Sequence, residues 1–266
     1  MIRDITIGQY YPANSVIHRL DPRIKLLGTV IFIVSVFFIN DLTGLLLATV
    51  ALGSVIRLST IPLKYMLKGL RAIFVLLLFT VALNMFLTPG DVIFKIAFLK
   101  VTKEGIVMAA QMGVRLIYLI VGSTIMTLTT TPNNLTDGLE KALSPLNKLH
   151  FPVHELAMTM SIALRFIPIL TDETDKIMKA QQARCADFDE GNLAKRISNL
   201  IPVLVPLFIS AVRRANDLAM AMEARCYHGG TGRTKMKPLV YTKRDYMAYV
   251  IMLIYILVWV AIKVLL

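Results

Sequence analysis

The sequence predicts an all-α, polytopic membrane protein with about five transmembrane helices and a long amphipathic block between the fourth and the fifth. Three observations predict this class. Of the 266 residues 56% are apolar and only 17% are charged, whereas soluble domains hold roughly 45–50% apolar and about 25% charged residues. Apolar runs recur at close to the ~20 residues that a helix needs to cross a bilayer core. The net charge of +12 is also distributed as a membrane protein distributes it. Residues 129–245 hold 16 Lys/Arg and 12 Asp/Glu, a mixed surface, while the other 149 residues hold 13 and 5, most of these cations flanking apolar runs. No basic stripe for nucleic acid emerges, and the lipid bilayer is the partner that composition implies.

Each span follows in order. The N-terminal stretch MIRDITIGQYYPANSVIHRLDPR has no apolar core before Ile24, so no cleaved signal peptide is expected and the first span should be retained. Residues 24–39 and 42–57 form two spans joined tightly at Asn40 and Asp41; residues 70–87 form a third, ended by Thr88, Pro89 and Gly90. A fourth covers 105–128, and the last, 246–265, carries Tyr246, Tyr249, Tyr255 and Trp259 as interfacial aromatics. Arg3, Arg19, Arg23 and Lys25 lie in the N-terminal segment up to the start of the first span, and Arg57, Lys64, Lys68 and Arg71 in the loop between the second and third, whereas the first turn has no cation. Positive charge stays inside, which puts the N-terminus and residues 57–71 in the cytoplasm. Lys95, Lys100 and Lys103 in the 88–104 loop blur the contrast. Counting through four spans gives a membrane domain 1–128, a cytoplasmic module 129–245 and a last transmembrane helix 246–266.

The module reads as helical. Residues 132–148 open with Pro132, suited to a first helical turn, and Leu135, Leu139, Ala142 and Leu143 share one face. A stripe runs Leu156, Met160, Ala163, Ile167, Leu170, Thr174, Ile177, Gln181 and Arg184; another runs Leu204, Phe208, Ala211, Ala215, Leu218, Met222 and Arg225. Both alternate steps of four and three, which keeps to one helical face. Pro168, Pro202 and Pro206 are expected to kink or interrupt these helices, whose apolar stretches then lie against the membrane surface. AQQARC at 180–185 and AMEARC at 221–226 agree at four of six positions. Chain breakers follow each, Asp187 to Asn192 in one case and Gly229, Gly230 and Gly232 in the other.

An arginine near a helix C-terminus ordinarily complements the helix dipole, worth about 0.3–1 kcal/mol. Two helices that end in the same Ala-Arg-Cys point instead to one docking solution used twice, Ala183, Arg184 and Cys185 in one and Ala224, Arg225 and Cys226 in the other. The guanidinium fork suits such an interface. Cys185, Cys226 and His228 lack the tight spacing of a metal site, and small residues beside an interface arginine explain the cysteines as well. Gln111 and Arg115 lie four apart in the fourth span; an intramembrane arginine there is a functional candidate or a hydrogen bond to a neighbouring helix, and Asn84 is a weaker case. No phosphate loop, HExxH or GxSxG occurs, so no catalytic residue and no bound cofactor are expected.

Five segments resemble the transmembrane T component of energy-coupling factor transporters: HRLDPRIKL at 18–26, LTTTPNNLTDGLEKAL at 128–143, LRFIPIL at 164–170, AQQAR at 180–184 and RRANDLAMAMEAR at 213–225. The family's Ala-Arg pairs are usually followed by glycine; cysteine stands there at 185 and 226, a departure that bears on the local turn. The resemblance implies a non-catalytic subunit of an importer of vitamins or transition-metal ions in the bacterial cell membrane. Two cytoplasmic ATPase subunits, holding ATP and Mg, would dock at Arg184 and Arg225. A separate membrane-embedded substrate-binding subunit would rest on Leu156, Met160, Ile167, Leu204, Phe208, Leu218 and Met222. Two other classes make different demands. A self-contained secondary transporter would use Asn84, Gln111 and Arg115 and show inverted repeats of spans, which are absent. A lipid-phosphate enzyme would use Asp172, Asp175 and Arg184, but Lys176 replaces the glycine of the similar phosphatidyltransferase pattern and the Ala-Arg falls too late, at 183–184.

Overall fold

The computed structural model describes residues 10–39, 41–96, 99–149, 151–186, 188, 193–229, 236 and 238–265. Helices α1 (Pro22–Phe38), α2 (Leu42–Ser59) and α3 (Leu63–Leu87) are followed by an antiparallel hairpin, β1 (Val92–Ile96) and β2 (Leu99–Thr102). Then come α4 (Lys103–Thr129), α5 (Pro132–Leu143) with a 3₁₀ turn at Ser144–Leu149, α6 (Val153–Gln182), α7 (Leu193–Glu223) and α8 (Lys243–Leu265). The chain divides into two compact units, one made of Gly8–Gly138 with Leu239–Leu266, the other containing Leu139–Pro238.

In the first unit α4 is the central helix, packed against α1, α2 and α3. Val121, Ile125 and Leu128 of α4 meet Leu52 of α2, Ile61, and Met66 of α3 in a buried cluster. A second cluster joins Val36 and Ile39 to Ala48, with Tyr118 and Trp259 packed on it. Gly105 lets the start of α4 approach the end of α3, because a β-carbon there would lie 2.8 Å from the Met85 carbonyl oxygen. Away from these seams the helices turn apolar side chains outward; Val75 on α3 is 78% exposed and Val264 on α8 79%. A soluble fold would bury such residues, whereas lipid solvates them.

The HRLDPRIKL segment ties several helix ends together. Asp21 caps α1 by accepting from the Arg23 amide at 2.9 Å. Asp245, three residues after Thr242, accepts from the Thr242 amide and hydroxyl, each at 2.7 Å, so its carboxylate reaches back to the start of its own helix as in one half of a capping box. The same carboxylate accepts from the Asp21 amide at 2.9 Å, so the N-termini of α1 and α8 share one acid. Lys25 donates to the carbonyls of Thr129, at 2.9 Å, and His18, at 3.2 Å, bringing in the end of α4. Arg23 stacks 4.7 Å from the Tyr241 ring centre and donates to the Leu239 carbonyl. His18 lies in the loop before α1, its two ring nitrogens against Ser15 and Tyr11, and burial lowers its pKa.

Several expectations need correcting. Residues 57–71 are not a loop: α2 continues to Ser59 and the chain is helical again from Leu63, with α3 bending by 66° between Leu63–Arg71 and Ile73–Leu87. The 88–104 loop contains the hairpin, whose β-branched VIFKI and LKVT favour extended backbone. The α-helix from Pro132 stops at Leu143, and Leu143 is exposed while Thr136 and Gly138 are buried. Among the described residues five helices are long and apolar enough to cross a membrane, namely Leu42–Ser59, Lys103–Thr129, Val153–Gln182, Ser198–Glu223 and Lys243–Val264, and the bent α3 makes a sixth if its two halves count as one span. That set includes α6 and α7, and α1, with 17 residues, falls just short of it.

In the second unit α6 and α7 pack on one another. Neither is interrupted by proline: α6 runs through Pro168 for 30 residues and α7 through Pro202 and Pro206 for 31. His154 near the start of α6 meets Glu140 at 3.0 Å.

Candidate functional site

Both Ala-Arg-Cys segments close their helices in the same way. At the end of α6 the Cys185 amide donates to the Gln182 carbonyl and the Ala186 amide to the Gln181 carbonyl, each at 3.0 Å. At the end of α7 the Cys226 amide donates to the Glu223 carbonyl at 2.9 Å and the Tyr227 amide to the Met222 carbonyl at 3.1 Å. This paired 5→2 and 6→1 pattern is the Schellman motif, and it requires a left-handed residue at the position after the cap. Cys185 has φ +64° and Cys226 φ +55°. The turn that glycine would ordinarily form is therefore kept with cysteine in its place, at a steric cost of about 1–2 kcal/mol each. Ala183 and Ala224 directly follow the helices, and Arg184 and Arg225 stand on the rim of the turn, exposed, with no described residue holding either side chain. The cysteines are free and exposed. The breakers Asp187 and Asp189 to Asn192, together with Gly230 and Gly232, lie outside the described residues.

Contacts between the helices orient these two ends. Pro206 has no amide hydrogen, so the Pro202 carbonyl loses its helical donor; Gln181 of α6 supplies one from its side chain at 3.3 Å. Nearer the N-terminus of α6, Glu173 accepts from Arg214 Nε at 3.2 Å and Nη2 at 2.8 Å, and from the Ser210 hydroxyl. Contacts that advance along α6 while retreating along α7 make the pair antiparallel, so the two arginines mark its opposite ends. On the Met222 side of Glu173 the two helices leave a groove of about 310 Å³, lined by Ile162, Phe166 and Leu170 of α6 and Ala215, Leu218 and Met222 of α7. Other stripe residues face outward: Leu156 and Met160 are each 45% exposed and Phe208 is 71% exposed, with Ile167 and Leu204 also open, while Thr174, Ile177 and Gln181 are half-buried.

The polar residues of the first unit are tied to backbone. Arg115 donates to the Ile39 carbonyl, just past α1, beside a cavity of about 10 Å³ that has room for no more than a water. Asn84 donates to Thr80 of its own helix at 2.8 Å. Gln111 also interacts within the chain. Among the described residues no group of three or more His, Cys, Asp or Glu could hold a metal ion. Sequence reasoning missed the Glu173, Ser210 and Arg214 cluster; the only local trace was the spacing of four between Ser210 and Arg214, which puts both on one face of α7.

The fold and the site thus define a multi-pass helical membrane protein with two matched arginine-bearing helix ends. The model of the cobalt transport protein family CbiQ matches residues 13–236. Relatives named energy-coupling factor transporter transmembrane protein EcfT include one from Clostridium kluyveri, 55% identical over 250 residues covering 93% of each chain. Another, from Thermosediminibacter oceani, is 55% identical over 249 residues and 94% of each chain. One from Bacillus subtilis is 49% identical over 247 residues, 92% of this chain and 93% of its own. The chain belongs to this family, as an energy-coupling transmembrane component of energy-coupling factor transporters.

Proposed function

We propose that the chain is a non-catalytic coupling subunit that joins two cytoplasmic ABC-type ATPases to a separate membrane-embedded subunit binding a vitamin or other micronutrient. The observation that carries this reading is the pair of matched Schellman ends, each presenting an exposed arginine with no partner among the described residues, at opposite ends of one antiparallel helix pair. Arg184 would seat in one ATPase and Arg225 in the other, each fork meeting carboxylates or carbonyls there. ATP and Mg reside on the ATPases, and this chain holds no cofactor of its own.

Residues 129–245 form the cytoplasmic coupling module on this reading, between a membrane domain at 1–128 and a last span at 246–266, with the N-terminus also in the cytoplasm of a bacterial cell. The cations at 57, 64, 68 and 71 support that orientation. Although α6 and α7 are long enough to span a bilayer, the acids and bases of Asp172 to Lys176 and of Arg213 to Asp217 favour a position along its surface. Their open apolar residues Leu156, Met160, Ile167, Leu204 and Phe208, with Leu218 and Met222 in the groove, are left to receive the substrate-binding subunit. ATP binding would draw the ATPases together, shift the two arginine ends, and tilt that subunit by sliding packed helices.

Co-expression with the candidate ATPase pair tests the docking role. Wild type is expected to retain both ATPases through purification, Arg184→Glu and Arg225→Glu each to weaken retention, and the double variant to lose it. Equal retention by all four forms returns the arginines to helix-dipole partners. No retention by wild type removes the coupling reading altogether.

A further inference from the structure

The carboxylate of Glu173 accepts three hydrogen bonds from one face of α7: two from the Arg214 guanidinium, at 3.2 and 2.8 Å, and one from Ser210, four residues earlier. It makes the one ion pair between α6 and α7 among the described residues. The side chains are 40% and 23% exposed, so the pair adds little stability, as surface ion pairs generally do. Its position is the informative part. Glu173 lies 11 residues before Arg184, and Arg214 lies 11 residues before Arg225. At a rise of 1.5 Å per residue each docking arginine stands about 16 Å from the cluster. Because the helices run antiparallel, these two equal arms extend in opposite directions.

The surroundings differ in kind from the cluster. On one side lies an apolar groove lined by Phe166, Leu170, Leu218 and Met222, whose contacts have no preferred direction. On the other, Gln181 reaches the Pro202 carbonyl through one long, exposed hydrogen bond. The Arg214 guanidinium, by contrast, is planar and converges two N–H groups on Glu173 Oε2 while Ser210 donates to Oε1, so the cluster constrains the angle at which the helices cross as well as their separation.

We propose that Glu173, Ser210 and Arg214 form the pivot of the coupling helices, placed midway between the two ATPase-docking ends so that equal displacements of those ends become rotation of the helix pair instead of translation. Glu173 and Arg214 are thus positioning residues for energy coupling. The assignment rests on the docking reading above.

The test reads the spread of the arms. Nitroxide labels go on Lys179→Cys and Met220→Cys, each five residues before its docking arginine, in a background carrying Cys185→Gly and Cys226→Gly. Pulsed electron spin resonance then gives the label-to-label distance distribution in the chain alone and in complex with the ATPase pair, with and without Mg-ATP. With the pivot intact the distribution is narrow and moves as a single population when Mg-ATP is added. Glu173→Gln and Arg214→Met are expected to broaden it about twofold, since the fork that sets the crossing is gone, while the complex still forms and hydrolyses ATP. Arg214→Lys, which keeps the charge and loses the fork, should also broaden it. The exchanged pair Glu173→Arg with Arg214→Glu should narrow it again. Unchanged widths in Glu173→Gln and Arg214→Met overturn the pivot. Wild type that fails to hold the ATPases overturns the docking reading instead, and the widths in the isolated chain still judge the pivot.

Discussion

Replacing Cys185 and Cys226 by glycine should tighten both docking ends without altering either arginine. Each cysteine holds φ in the left-handed region, +64° and +55°, where a β-carbon costs about 1–2 kcal/mol. Glycine relieves that cost but loses about 0.5–1 kcal/mol to its greater freedom in the unfolded chain. The thiols are exposed and free, so no packing is forfeited, and the net gain is about 0.5–1 kcal/mol per end. That energy makes opening of each turn about two- to fivefold rarer. Hydrogen–deuterium exchange of the Ala186 and Tyr227 amides reads it directly, because these amides close the 6→1 bonds to Gln181 and Met222. Their exchange should slow about two- to fivefold in the glycine variants and quicken in Cys226→Val, whose branched side chain tolerates the left-handed region less well. Glycine variants that exchange as fast as the parent, or faster, refute the strain argument.

Three other perturbations follow from the contacts. Gln181→Leu should cost about 0.5–1 kcal/mol, because it strands the Pro202 carbonyl. The same change in a Pro206→Ala background should cost close to nothing, since alanine restores the helical donor; a double-mutant cycle of denaturant midpoints checks this. Asp245 is 2% exposed and accepts from Asp21 and twice from Thr242. Asp245→Ala should therefore lower stability by about 2–3 kcal/mol in detergent unfolding, and an unchanged midpoint would contradict its role in joining the starts of α1 and α8. The hydrogen bonds from Ser210 and then Arg214 hold the Glu173 carboxyl below the ordinary carboxylate range. Its contribution is thus fully present above the unfolded value of about 4.3 and is lost as pH falls through the lower folded one. Melting midpoints of wild type and Glu173→Gln should differ by a small margin at pH 6, as befits a partly exposed pair, and converge in strong acid.

The prolines mark where local rules and packing part. Read alone, Pro168, Pro202 and Pro206 break helices. In the folded chain both helices continue through them, and at one of the orphaned carbonyls a side chain from the neighbouring helix replaces the missing donor. The hairpin at Val92–Thr102 leaves little trace in the sequence for a different reason: its strands of five and four residues are too short to show a period between two apolar spans.

By itself the sequence determined the membrane class, most of the helices and the two matched helix ends. Each of these is a local property: a bilayer demands contiguous apolar residues, and a helix end is written in the few residues that close it. The tertiary structure alone decided which residues meet across the chain. Asp21 finds Asp245 at a separation of 224 residues, and Glu173 finds Arg214 because α6 and α7 run antiparallel. The turns at Cys185 and Cys226 also needed coordinates, since cysteine has no intrinsic preference for the left-handed backbone that these hydrogen bonds impose. Such pairings depend on crossing direction and register, which no window along a single helix contains.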